Sequence, residues 1–155
     1  MLDSIAQTLT LLHHQYLEQF LAALLPMIVT VVIHGQGMGL AVRAYKKSTS
    51  RGHGNKRNAP GIVVLIAMVG IMLATHYVEA VAWSAFYFLT GMLADFRTAM
   101  YFSVDSYTTL GSSNISLQGR WQGLEGFEAM TAMLMFGWST ALLASAIQRL
   151  HSLDD

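Results

Sequence analysis

The sequence predicts an all-α membrane protein that crosses the bilayer three times. Of its 155 residues, 54% are hydrophobic and only 12% are charged, whereas a soluble domain carries about 25% charged residues. Three long apolar segments, at residues 17–42, 61–91 and 123–147, account for the difference. Each is long enough to cross a bilayer, which takes roughly 20 helical residues. Because the chain has no cysteine, disulfides and thiolate metal sites are excluded.

The first apolar segment carries a stripe of small residues. Gly35 and Gly39 lie four residues apart, and residues at this spacing share one face of a helix. Such a stripe lets a second helix approach closely. We therefore expect this segment to pack against another membrane helix through these glycines.

The segment that follows sets the predicted orientation. Residues 43–57 hold six of the nine lysines and arginines and are rich in Gly, Ser and Asn, which indicates a flexible loop. Positive loops stay on the cytoplasmic side. Three crossings then place the N-terminus outside and the C-terminus in the cytoplasm, in a plasma (inner) membrane, and the basic loop is suited to anionic lipids.

The second apolar segment contains two ionisable residues, His76 and Glu79. They lie three residues apart and so share a helix face. Ionisable residues inside a membrane suggest function, and together with His34 of the first segment they would form a metal or proton site. The simpler alternative is a hydrogen-bonded pair that fixes helix packing.

Residues 92–122 are too polar to form a plain membrane helix. They contain a short run, residues 96–107, of about three helical turns, and then a Thr, Gly, Ser and Asn-rich stretch. This pattern predicts a re-entrant loop. Non-helical backbone at membrane depth survives only when it is buried in protein or lines water. One small chain cannot enclose such a water path, so several copies are expected to assemble.

Residues 103–114 read SVDSYTTLGSSN. With the flanking helices, this stretch resembles the pore unit of tetrameric pore-loop potassium channels, whose pattern is SVExxTTVGYGD. The resemblance covers roughly residues 61–150. It implies an outer helix, a re-entrant pore helix, a filter loop and an inner helix around a fourfold pore.

The resemblance assigns the filter to five residues: Thr109, Leu110, Gly111, Ser112 and Ser113. In the family, rings of backbone carbonyls replace the water shell of the ion, so a monovalent cation would bind at Thr109, Leu110 and Gly111. Gly111 can take the positive φ that turns successive carbonyls inward. Ser112 and Ser113 stand where the family has Tyr and Gly, which predicts weaker discrimination between K⁺ and Na⁺.

Three further residues have roles implied by the same resemblance. Asp105 corresponds to a buried acid behind the filter, which hydrogen-bonds the residue here occupied by Asn114. Gly137 stands where the inner helix of the family has a gating bend, although packing alone explains it equally well. Independently of the resemblance, Glu125 and Glu128 begin the third apolar segment, where their charge suits a helix N-terminus; the alternative is that they gather cations near the outer mouth.

The predicted organisation is therefore a peripheral part, residues 1–59, and a pore domain, residues 60–155. The peripheral part holds the external N-terminus, the first helix and the basic loop. The implied function is passive conduction of K⁺, and also of Na⁺, by a homotetramer in contact with lipids, with K⁺ as permeant ion. No organic cofactor, nucleic-acid partner or enzymatic activity is expected. The alternatives are a non-conducting membrane scaffold or subunit with a degenerate filter, and an intramembrane metal- or proton-binding protein.

Overall fold

The computed structural model describes residues 1–50 and 61–151. Within these ranges the chain forms α-helices and one 3-10 turn and contains no β-strand, which confirms the predicted all-α class. The helices are α1 (Leu2–Ser50), α2 (Gly61–Leu89), α3 (Phe96–Tyr107) and α4 (Glu125–His151), and the 3-10 turn is Gly119–Trp121.

Three helical stretches are long and apolar enough to cross a membrane, as predicted. They are His13–Ser48, Gly61–Leu89 and Gly119–Leu150. Many of their large apolar side chains point away from the protein interior, which suits a lipid environment and not water. The most exposed of these include Leu25, Ile28, Ile62, Ile66, Leu73 and Leu134.

The first helix is longer than the sequence indicated. Residues 43–50 were expected to belong to a flexible loop, but α1 continues to Ser50. Arg, Lys and Ala are good helix formers, and residues 43–50 contain no glycine. The remainder of the predicted loop, residues 51–57, lies outside the described residues.

The short helix α3 has the predicted bounds, residues 96–107. Asp95 is its N-cap: the carboxylate accepts hydrogen bonds from the Thr98 backbone N–H at 2.8 Å and from the Thr98 hydroxyl at 2.6 Å. An aspartate in this position satisfies a donor that the first helical turn leaves unpaired. The start of α3 is therefore fixed by its own sequence.

The chain forms two compact units. One comprises Thr30–Glu79 and Met133–Asp155. Its described core is a cluster of methionine and alanine side chains: Met38, Ala41, Met68, Met72 and Ala146. Methionine is unbranched and flexible, so it fills irregular gaps between helices.

The other unit comprises Met1–Val29 and Ala80–Ala132. Its interior contains the fully buried rings of Trp83 and Tyr87, whose centroids lie 5.9 Å apart. The Gln19 side chain, also fully buried, donates to the backbone carbonyls of Arg120 (2.7 Å) and Gln122 (3.0 Å). Gln19 thus ties α1 to the turn that precedes α4.

The close helix approach at the glycines of α1 occurs at Gly37. A Cβ atom built on Gly37 would overlap the Thr75 side chain of α2, whereas one on Gly39 would meet nothing within 4 Å. The expected stripe of Gly35 and Gly39 is therefore wrong in detail. Gly37, two residues from each of them, carries the contact.

Gly37→Ala is expected to lower the free energy of unfolding by about 1–3 kcal/mol, because an added methyl group forces α1 away from α2. The matched variant Gly39→Ala should raise it by up to about 1 kcal/mol, because alanine is the better residue in an open helical position. Denaturation in mixed detergent micelles, followed by circular dichroism, measures both. Equal effects of the two variants would show that the glycine contact is unimportant.

Candidate functional site

The loop after α3 begins with a helix-terminating turn. The Thr109 N–H donates to the Ser106 carbonyl and the Leu110 N–H to the Asp105 carbonyl, both at 3.0 Å. With Thr108 as C-cap, these two bonds form a Schellman motif, which requires a left-handed residue directly after the cap. That residue is Thr109, with φ = 56°.

The backbone at Thr109 is strained. Thr109 is the only non-glycine residue with a positive φ in the described part of the chain, and for a β-branched residue this is a true outlier. Strain of this kind costs on the order of 1–3 kcal/mol and tends to persist at functional sites. The sequence did not predict it, because glycine is the usual residue at this position of the motif.

Positive φ values alternate along the loop. Gly111 has φ = 64°, as expected for this glycine, while Leu110 between Thr109 and Gly111 does not have a positive φ. Ser113 does not require a left-handed conformation either. Thr109, Leu110, Gly111 and Ser112 are all exposed, and the Leu110 side chain is 70% exposed.

The Asp105 carboxylate holds the loop from behind. Its Oδ1 accepts from the Ser112 N–H at 2.9 Å and the Ser112 hydroxyl at 2.8 Å, and its Oδ2 accepts from the Ser113 N–H at 3.2 Å. The expected partner was Asn114, but the described carboxylate bonds are to the two serines. Ser112, which lacks the ring of a tyrosine, is instead held through its hydroxyl.

These bonds keep Asp105 ionised. Partial burial opposes the charge, but the hydrogen bonds from Ser112 and Ser113 outweigh it and hold the pKa of the carboxyl below its ordinary value of 3.8. Because the pKa is lowered, the bonds stabilise the folded chain at every pH above the ordinary pKa of 3.8. This stabilisation is lost only as the pH falls through the lowered pKa. The loop is therefore anchored at neutral pH.

Glu128 supports α3 from α4. Its side chain is fully buried. Oε2 accepts from the Tyr87 hydroxyl of α2 at 2.8 Å, and Oε1 lies 2.5 Å from the Ser103 hydroxyl of α3. We expected a charge at a helix N-terminus, but Glu128 joins three helices. Glu125 does act near the helix start, accepting from the Gly123 N–H at 3.0 Å.

The hydrogen atoms around Glu128 can be counted. The Ser103 oxygen also lies 2.8 Å from the Ala80 carbonyl, and a hydroxyl has one hydrogen to donate. If Ser103 donates to Ala80, the short contact to Glu128 needs a proton on the carboxyl group. A protonated Glu128 therefore satisfies every atom of this network.

Residues 73–149, a little under half of the chain, include α3, the loop, Glu128 and most of α4, so they hold the whole site described above. They match a family model. The model is that of an ion channel. The match supports an ion channel family and agrees with the multi-pass membrane helices. No curated protein and no solved structure matches the chain significantly.

The ion channel match begins within α2, so α1 lies outside it. Gly137 lies inside it, and α4 runs unbroken through this residue. A Cβ atom built on Gly137 would meet nothing within 4 Å, so side-chain packing does not require a glycine there. A gating bend at Gly137 stays a prediction.

The three ionisable residues considered from the sequence do meet in space. His34 Nδ1 lies 2.9 Å from Glu79 Oε1, and His76 Nδ1 lies 3.4 Å from Glu79 Oε2. The sequence placed His76 and Glu79 on one helix face and suggested His34 of α1 as the third member of the cluster, and the three side chains are in contact. The Ser139 hydroxyl of α4 lies 3.0 Å from His76 Nε2. Nothing in the spacing of the sequence pointed to Ser139 as part of this cluster.

Proposed function

We propose that the protein is a passive channel for monovalent cations, assembled as a homotetramer, with residues 109–113 as its filter. The observation that carries this proposal is the backbone of the loop. Left-handed residues at Thr109 and Gly111 flank Leu110, and the Asp105 carboxylate fixes the next two residues.

The alternation of φ has a direct consequence for the carbonyl groups. In an ordinary strand, successive carbonyls point to opposite sides, because the backbone turns by about 180° at each residue. Left-handed residues on either side of Leu110 change this turn and so can bring neighbouring carbonyls to the same side. Carbonyls of Thr109, Leu110 and Gly111 aligned in this way can replace the water around a cation when several chains present them together.

The charges around the loop also favour a cation. The C-terminal end of α3 carries the negative end of the helix dipole, and it leads directly into Thr109. The ionised Asp105 adds a full negative charge behind Ser112. Residues 98–119 contain no lysine or arginine.

The exposure of the loop supports the proposed assembly. The Schellman bonds and Asp105 hold the backbone from within the chain, yet Thr109–Ser112 remains exposed in the single chain. Further copies of the chain would cover it. We propose that the assembly has four copies, as in the potassium channels that this loop resembles, and that lipids surround its outer helices.

The two serines set the proposed selectivity. Ser112 and Ser113 are anchored to Asp105, but neither supplies the ring of a tyrosine or the free φ of a glycine. The filter would then hold K⁺ less rigidly at its outer end, so that Na⁺ also passes. The channel would lie in the plasma membrane with the N-terminus outside, and residues 60–155 would form the pore domain.

Flux through proteoliposomes that contain the purified chain tests this function. We expect K⁺ flux, with a smaller but measurable Na⁺ flux. The double variant Ser112→Tyr with Ser113→Gly should increase the preference for K⁺. Ser116→Ala, which changes an exposed serine beyond the filter, is the matched control and should leave both fluxes unchanged.

Absence of both K⁺ and Na⁺ flux from protein that is helical and monodisperse would overturn the conduction proposal. The non-conducting scaffold would then be the better description. A strong K⁺ preference in the unmodified chain would leave conduction intact and refute the weaker selectivity.

A further inference from the structure

We propose that His34, His76 and Glu79 bind one divalent transition-metal ion, for which Zn²⁺ is the natural probe. Ser139 supports the two histidines. The four residues belong to α1, α2 and α4 and lie within one compact unit. This site is separate from the filter loop, and the proposal does not depend on conduction.

The donor atoms are already close together. One ligand atom from each of the three residues can be chosen so that all lie within 4.8 Å of one another. The Nδ1 atoms of His34 and His76 lie 2.9 and 3.4 Å from the two oxygens of Glu79. Tetrahedral zinc, with bonds of about 2.0–2.2 Å, holds its ligand atoms about 3.3–3.6 Å apart. Only small movements are needed to admit the ion.

The hydrogen-bond pattern of Ser139 favours this arrangement. The Met38 sulfur, at 3.7 Å, is one acceptor for its hydroxyl. When the hydroxyl donates there, its oxygen accepts from His76 Nε2 at 3.0 Å and from His34 Nε2 at 3.5 Å, which requires the tautomer with protons on both Nε2 atoms. Histidines that bind metal through one nitrogen commonly donate through the other to an oxygen that fixes the ring.

With protons on both Nε2 atoms, the two Nδ1 atoms turn lone pairs toward Glu79. A carboxylate also offers lone pairs only. In this tautomer, the buried acceptors that face one another need a positive species between them, and a metal ion supplies it; in the other tautomer, Nδ1–H groups donate to Glu79 and no ion is needed. Because two of the three ligands are imidazoles, zinc and similar ions suit the site better than Mg²⁺ or Ca²⁺, which prefer oxygen.

The surroundings are aromatic and mostly buried, and the most exposed ligand is His76. The His34 ring lies 5.1 Å from Trp138, and the His76 ring lies 4.7 Å from Phe136, centroid to centroid. The side chains of His34 and Glu79 are 0% exposed, whereas that of His76 is 12% exposed. An ion would enter past His76. A fourth position is left for water or an anion, as in other three-ligand zinc sites.

Bound metal would fix α1 to α2. His34 is the ligand from α1, the helix that lies outside the ion channel match, and His76 and Glu79 lie within the match. The ion would therefore join the added helix to the channel-like part of the chain.

Metal titration of the full-length chain, stripped of metal and held in detergent, tests the proposal. We expect one Zn²⁺ per chain by elemental analysis, and Co²⁺ should give the strong visible absorption of a tetrahedral site, which Zn²⁺ then abolishes. His76→Gln and Glu79→Gln should each lose this binding. Ser139→Ala should keep one ion per chain with affinity lowered about 10–100-fold.

The exposed pair His14 and Glu18, with Nδ1 and Oε1 at 3.2 Å, provides the matched control. His14→Gln with Glu18→Gln should leave metal binding unchanged. The proposal is overturned if this control removes the bound ion, or if folded His76→Gln binds as the unmodified chain does. Should the site variants fail to fold, the Co²⁺ spectrum of the unmodified chain still decides, because an absent or octahedral spectrum refutes the site.

Discussion

We expect Gly111→Ala to leave the chain folded but to reduce K⁺ flux by on the order of 100-fold or more. Gly111 has φ = 64°, and an alanine in this conformation costs about 1–2 kcal/mol per chain. Four chains around one pore would together incur about 4–8 kcal/mol, and each 1.4 kcal/mol is about a tenfold change in rate. The filter would relax to another shape, and its carbonyls would no longer align.

The effect belongs to the backbone and not to a clash, because a Cβ atom on Gly111 meets nothing within 4 Å in the chain. Gly119 offers a matched control: it has φ = 61° and equally open surroundings, but lies beyond the filter loop. Gly119→Ala should cost similar stability and keep most of the flux. Equal flux in the two alanine variants, measured in proteoliposomes, would contradict a filter at Gly111.

Glu128→Ala is expected to lower the free energy of unfolding by about 2–5 kcal/mol. The change removes a fully buried side chain and takes away the acceptor of the Tyr87 hydroxyl and the partner of Ser103. Each buried polar group left unsatisfied costs about 1–3 kcal/mol. Because Ser103 is part of α3, the assembly should weaken as well. Unfolding in mixed micelles and native mass spectrometry measure the two effects.

Glu128→Gln separates the two protonation states of this network. A glutamine amide can accept from Tyr87 and donate to Ser103, as a protonated glutamate does. We therefore expect Glu128→Gln to stay within about 1 kcal/mol of the unmodified chain, well short of the cost of losing a buried partner. Glu125→Ala changes the first residue of α4, three residues before Glu128, and should also have a small effect. A loss in Glu128→Gln as large as in Glu128→Ala would show that Glu128 is ionised.

The elements that depend on local sequence were predictable. The three spans follow from the apolar content of the segments, and α3 follows from a run, residues 96–107, that is too short to cross a membrane. The positive φ of Gly111 was expected because glycine alone takes that conformation without strain.

Features that depend on tertiary contacts were not predictable. The charge of Glu128 suggested a helix N-terminus, because no local pattern reveals that Tyr87 and Ser103 converge on it. The choice of Ser112 and Ser113 as partners of Asp105 depends on how the loop folds back on α3. His34 was considered together with His76 and Glu79 from the sequence, but it lies 42 residues before His76, and only the packing of α1 on α2 shows that the two rings lie 5.2 Å apart.

The central claim is that the loop of residues 109–113 forms a filter shared by four chains. A cryo-electron microscopy reconstruction of the full chain in lipid nanodiscs containing K⁺ tests it most directly. We expect four copies around one axis, with the carbonyls of Thr109, Leu110 and Gly111 facing it and ion density between them. A reconstruction in which these residues face lipid or bulk water, away from every other copy, would contradict the claim.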